Sequence, residues 1–98
     1  MQSVLTMNQP GAQFLMMGNE AITRGALEAG VQFCSSYPGS PSAEILSLLA
    51  ATAKTCGHYA EWSTNEIVAI EAATAASFAG LRSICIMKQN GANVAADF

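Results

Sequence analysis

The clearest hydrophobic pattern in the chain runs from Glu61 to Gly80, EWSTNEIVAIEAATAASFAG. A short strand end is followed by S-x-x-E at Ser63–Glu66, the capping-box signature of a helix start. Ile67, Val68, Ala69, Ile70, Ala72, Ala73, Ala75, Ala76, Phe78 and Ala79 come next. That segment is apolar nearly all round, which predicts a helix buried on most faces. Its alanines let neighbouring backbones come close. Glu66 sits at the mouth of this helix and Glu71 lies further in. A carboxyl in such a place is costly unless it is paired, protonated or used.

The rest of the pattern alternates short apolar runs with helical stretches. Residues 1–13 read as a loose arm broken by Pro10 and Gly11, and Phe14–Met17 is an apolar run stopped by Gly18. Asn19 is placed to cap a helix through about Ala29, with Gly30 just past its end. Val31–Tyr37 reads as a strand, and Pro38-Gly39 as a turn. Ser40 is the expected cap of the next helix, with Pro41 in its first position. Ile45, Leu48, Leu49 and Thr52 share one face, and Gly57 closes that helix. His58–Trp62 is a short strand, and Leu81–Met87 is a buried one. Asn90-Gly91 reads as a turn before a helix starting at Ala92–Asp97. Strands alternating with helices through short loops predict an α/β fold, a parallel sheet of βαβ units with helices on both faces. Ligands of such sheets bind beyond the carboxyl ends of the strands. Three loops belong there: Tyr37–Ser40, Trp62–Asn65 and Lys88–Asn93. A last helix barely begun at Phe98 leads us to expect an incomplete domain.

Composition sharpens this picture. The 98 residues suffice for one small domain. Only 11% are charged, against roughly 25% in ordinary domains. A small domain has the most surface per residue, so we expect other parts of a larger chain or a partner to cover it. The net charge of −3, with no basic run, argues against nucleic acid. Cys34, Cys56 and Cys85 are isolated and odd in number, as reduced cytoplasmic thiols are. No apolar run reaches membrane-spanning length.

The candidate sites each have two readings. Glu66 is either the third residue of a capping box or a carboxyl acting on a ligand at the sheet rim. A side chain folded back on its cap cannot also reach a ligand. Tyr37–Ser42, Y-P-G-S-P-S, is either a turn and helix start or a substrate-facing loop. Glu71 reads as a structural partner for Arg24, Arg82 or another chain. His58, the sole histidine, is expected to be exposed and makes no metal site alone. Trp62 is packing or a pocket wall. Neither G-x-G-x-x-G nor G-x-x-x-x-G-K-[ST] is present, which disfavours a nucleotide-binding module.

Taken together, GNEAITRGALEAGVQF, SYPGSPSAEI, YAEWSTNEIVAIEAATAASFAGLRS and MKQNGANVAAD resemble the N-terminal region of the large subunits of indolepyruvate ferredoxin oxidoreductases. These are thiamine-diphosphate enzymes of the 2-oxoacid:ferredoxin oxidoreductase group. The resemblance covers about residues 17–97. It implies that residues 14–98 are the front part of a pyrimidine-binding domain. It also implies that Glu66 hydrogen-bonds N1′ of the cofactor's aminopyrimidine, favouring the tautomer that removes the thiazolium C2 proton. Tyr37 and Ser40 would face the substrate. Mg²⁺, the diphosphate and the iron–sulfur clusters would be held outside this chain, so no metal ligands are expected here. The implied reaction is oxidative decarboxylation of an aryl pyruvate to an acyl-CoA, with electrons passed to ferredoxin. The implied partners are the remaining domains or subunits, in a homo-oligomer. The competing expectation is a non-catalytic piece without stand-alone activity.

One consequence can be measured directly. With so little charge and an open strand edge, residues 1–98 should self-associate. Size exclusion with light scattering checks this, and a monodisperse 10.2 kDa monomer would contradict it.

Overall fold

The computed structural model describes residues 5–96. The first four residues of the expected arm, Asp97 at the end of the expected last helix, and Phe98 lie outside the described residues. Seven elements follow in order: α1 Gly18–Glu28, β1 Phe33–Ser36, α2 Ala43–Cys56, β2 Tyr59–Trp62, α3 Glu66–Phe78, β3 Ser83–Ile86 and α4 Gln89–Ala95. The strands form one parallel sheet in the order β2-β1-β3. Phe33 stands beside Tyr59 on one side and Ser83 on the other. This is the α/β architecture expected from the alternating pattern, with helices on both faces.

The two faces of the sheet are built differently. On one, Cys34, Ile84 and Ile86 meet Ile45, Leu46 and Leu49 of α2 and Ala26 and Leu27 of α1. Leu46 and Leu49 are fully buried, and this is the apolar core. On the other face lies α3, and the residues beneath it are small and polar. Ser35 Oγ donates to the Ala69 carbonyl at 2.7 Å, and Ser83 Oγ donates to the Ala73 carbonyl at 2.8 Å. Residues 69 and 73 are one turn apart, so a single helix face rests on two strand hydroxyls. Ala69 and Ala73 are the buried positions of α3.

Several expectations are corrected here. α3 is covered on one face by the sheet, whereas Val68 and Phe78 are exposed. α1 starts at Gly18, and Glu20 accepts a hydrogen bond from the Met17 N–H at 2.8 Å. Asn19 is therefore inside the helix, and its amide donates to Pro41 O at 3.0 Å and to Glu44 Oε1 at 3.1 Å. α2 begins after Ser42, not Ser40, because the Ala43 N–H and Ser42 Oγ both bond Gly39 O and form a turn first. Leu46, not Leu48, is buried on α2 beside Ile45, Leu49 and Thr52. The strands are shorter than the apolar runs that contain them.

His58 is buried, not exposed. Gly57 ends α2 in the left-handed region at φ 82°, which folds the chain back beneath the helix. The ring Nε2–H then donates to the Leu49 carbonyl at 2.6 Å. Among the described residues, His58 Nδ1 has no partner. Near the N-terminus, Arg24 ties down the first described residues by donating to the carbonyls of Leu5 and Met7 while pairing with Glu28 at 2.8 Å. No helix among the described residues is long and apolar enough to cross a membrane.

The serine contacts give a quantitative expectation. Ser35→Ala leaves the Ala69 carbonyl with its helical bond but removes a buried hydroxyl donor. It should lower stability by about 1 kcal/mol in urea unfolding, with an unchanged denaturant slope.

Candidate functional site

The order β2-β1-β3 sets where a ligand can enter. The chain leaves β1 toward β2 through α2, then returns over β1 to β3 through α3. The connections after β1 and β3 therefore diverge, which marks the carboxyl ends of these strands as the place where such sheets form a ligand-binding crevice. Residues 37–40 lie on one side of it and residues 87–91 on the other.

Glu66 is the first helical residue of α3 and is half-buried. It is not the third residue of a capping box. Asn65 is the cap: its side chain accepts from the Val68 N–H at 2.9 Å. The Ser63 N–H that a capping glutamate would need instead bonds Ser36 O at 2.8 Å, extending the β1–β2 pairing. The Ser63 hydroxyl is buried without a partner among the described residues. The Glu66 carboxylate accepts no hydrogen bond from any described residue, and it lies in the field of the α3 N-terminus.

The first turn of α4 joins the two sides of the crevice. Lys88 packs along Gly39, where a Cβ would stand 3.4 Å from Lys88 Cβ. Gly91 lies against Glu66, so closely that a Cβ there would stand 2.7 Å from Glu66 Cγ. Asn90-Gly91 is thus inside a helix and not a turn. Tyr37 and Ser40 are exposed on the loop after β1. Ser40 and Pro41 line a concavity with Met17, Asn19 and Glu44. Trp62 is exposed at the end of β2. A cavity of about 490 Å³ is lined by Met7, Phe14, Arg24 and Glu28 among others, and none of its residues belongs to the three rim loops.

The other candidates stay apart from this crevice. Glu71 is exposed and forms no ion pair among the described residues; Arg24 is engaged by Glu28, and Arg82 donates to Ala29 O at 2.6 Å. Burial pushes the Cys34 thiol up to about 11. Burial also raises Cys85, against a lowering hydrogen bond with Ser35. Both are protonated at neutral pH and are poor nucleophiles or metal ligands. Sequence reasoning missed Gly91, Asn65 and the Asn19 bridge. A glycine within reach of a helical pattern was the available signal for the first.

No family model matches the chain, and no solved structure matches it. It is 50% identical over 94 residues to the indolepyruvate oxidoreductase subunit IorA of Thermococcus kodakarensis, a match covering 96% of this chain and 14% of that subunit. It is 49% identical over 87 residues to the subunit of the same name from Methanothermobacter thermautotrophicus, covering 89% of this chain and 14% of that one. The 2-oxoglutarate synthase subunit KorA of Methanocaldococcus jannaschii is 38% identical over 69 residues, covering 70% of this chain and 19% of that protein. The chain thus spans about a seventh of the IorA subunits that it matches.

The capping assignment is open to measurement. Asn65→Ala should lower stability by about 1 kcal/mol, while Ser63→Ala should leave the start of α3 intact. Thermal unfolding together with amide exchange at Val68 separates the two residues.

Proposed function

We propose, from its homology to a segment of the IorA subunits, that this chain is the front part of a pyrimidine-binding domain. On this reading it belongs to a cytoplasmic, thiamine-diphosphate-dependent 2-oxoacid:ferredoxin oxidoreductase. Residues 14–98 form that part, preceded by an arm over residues 1–13. The substrate class is an aryl pyruvate such as indolepyruvate, the product is an acyl-CoA, and ferredoxin takes the electrons. Remaining domains or subunits supply the metal, the diphosphate site and the iron–sulfur clusters, in a homo-oligomer.

One observation carries this reading: a half-buried carboxylate at the mouth of the crevice with no hydrogen bond from any described residue. The surroundings fit the aminopyrimidine end of the cofactor. Glu66 offers an acceptor, and the bare backbone of Gly91 lies against its side chain. When bound, thiamine diphosphate supplies the electron sink that decarboxylation of a 2-oxo acid requires. Glu66 holds a proton between its carboxylate and a pyrimidine ring nitrogen, so its acid–base character is what the reaction uses. The Ser40 hydroxyl donates to an oxygen of the substrate, and Tyr37 presents its ring at the same loop. Asn19 fixes that loop by holding Pro41 O and Glu44.

The test grafts this segment over the matching part of the Thermococcus kodakarensis subunit and assays the assembled enzyme. The graft should turn over an aryl pyruvate. Glu66→Gln preserves size and hydrogen bonding but not acidity. It should lower cofactor C2-proton exchange and 2-oxo acid turnover by about 10²–10⁴-fold with the melting temperature nearly unchanged. Glu71→Gln should leave exchange intact. Full activity of the Glu66→Gln enzyme, or a folded graft without turnover, would overturn the reading.

A further inference from the structure

We propose that Gly91 is a positioning residue for Glu66, and that the absence of a side chain at 91 leaves room for the rotamer in which the carboxylate acts. This rests on the reading of Glu66 given above. Gly91 is buried within the seven-residue α4. Glycine is a poor helix former compared with alanine, so its presence needs a reason. Backbone conformation does not supply one, since the positive-φ glycines are Gly11, Gly30, Gly57 and Gly80.

The reason is contact. A Cβ at 91 would stand 2.7 Å from Glu66 Cγ, 3.0 Å from Oε2 and 3.2 Å from Cδ. No real Cβ sits that close, and Cγ is not the free end of the side chain. With any other residue at 91, Glu66 must leave this rotamer or α4 must move. Gly25, inside α1, shows the contrast: a Cβ there meets nothing within 4 Å. Gly91 therefore walls one side of the carboxylate with bare backbone.

A stability cycle and an activity measurement test this together. In residues 1–98, Gly91→Ala should lower the melting temperature when Glu66 is present. It should raise the melting temperature in the Glu66→Ala background, where the space is vacated and alanine's helix preference acts alone. The Glu66 carboxyl carbon resonance should shift in the Gly91→Ala chain. In the grafted enzyme, Gly91→Ala should slow C2-proton exchange by about 10²-fold, the scale of a misplaced reacting group, while Gly25→Ala should not. Equal melting shifts in both backgrounds with an unmoved carboxyl resonance would overturn the contact. An inactive Glu66→Gln beside a fully active Gly91→Ala would overturn the positioning role alone. An active Glu66→Gln with the coupled melting shift intact would instead overturn the proposed function of Glu66.

Discussion

The close seating of α3 on the sheet is the constraint on which the rest depends. A helix whose buried residues are Ala69 and Ala73 can approach a strand far more closely than one bearing leucines. The strand positions below it must then be small. Hydroxyls at Ser35 and Ser83 use that narrow gap by donating to helix carbonyls, which a valine or leucine would fill and pry apart. Because Glu66 opens this same helix, the height of α3 above β1 sets the height of the carboxylate. The opposite face, with Leu46, Leu49 and Cys34, has ordinary apolar thickness and contributes stability, while the thin face contributes placement.

Burial and local bonding also keep other reactive side chains quiet. The thiols of Cys34 and Cys85 are driven toward their neutral forms by burial, and His58 is tied to the Leu49 carbonyl. Tyr59 is raised by its hydrogen bond to Glu61 and the charge of that carboxylate, which leaves it neutral as well. At the rim itself, Glu66 is a titratable group packed against another element, Gly91 of α4.

The sheet and its alternation with helices were legible because each depends on a pattern several residues long. Local starts were less legible because competing caps stand in series. In S-T-N-E both Ser63 and Asn65 could begin a helix. Asn65 prevails because the Ser63 N–H is already engaged by Ser36 O, a contact from a distant strand. The same holds at Ser40 and Ser42, where the turn closing on Gly39 O moves the helix start by two residues. His58 was misplaced because one residue after a glycine carries no signal of the carbonyl waiting for it. Gly91 was read through its backbone freedom, the commonest reason for glycine, whereas its role is room for a side chain from another helix. A reading of one sequence sees residue types; a clearance between α4 and α3 exists only once both are in place.

The sheet order has a consequence for how the molecule is assembled. Of the three strands the earliest, β1, lies between the other two, and Phe33 must wait for both Tyr59 and Ser83. No hairpin can nucleate such a sheet, since parallel neighbours are separated by a whole helical crossover. During synthesis β1 emerges with both edges unpaired, and closure of each long connection precedes any gain from pairing. α1, already made, and then α2 offer β1 its earliest apolar partners, so the thick side of the molecule collapses first. The thin side, where α3 and the carboxylate belong, is completed only when the last strand arrives.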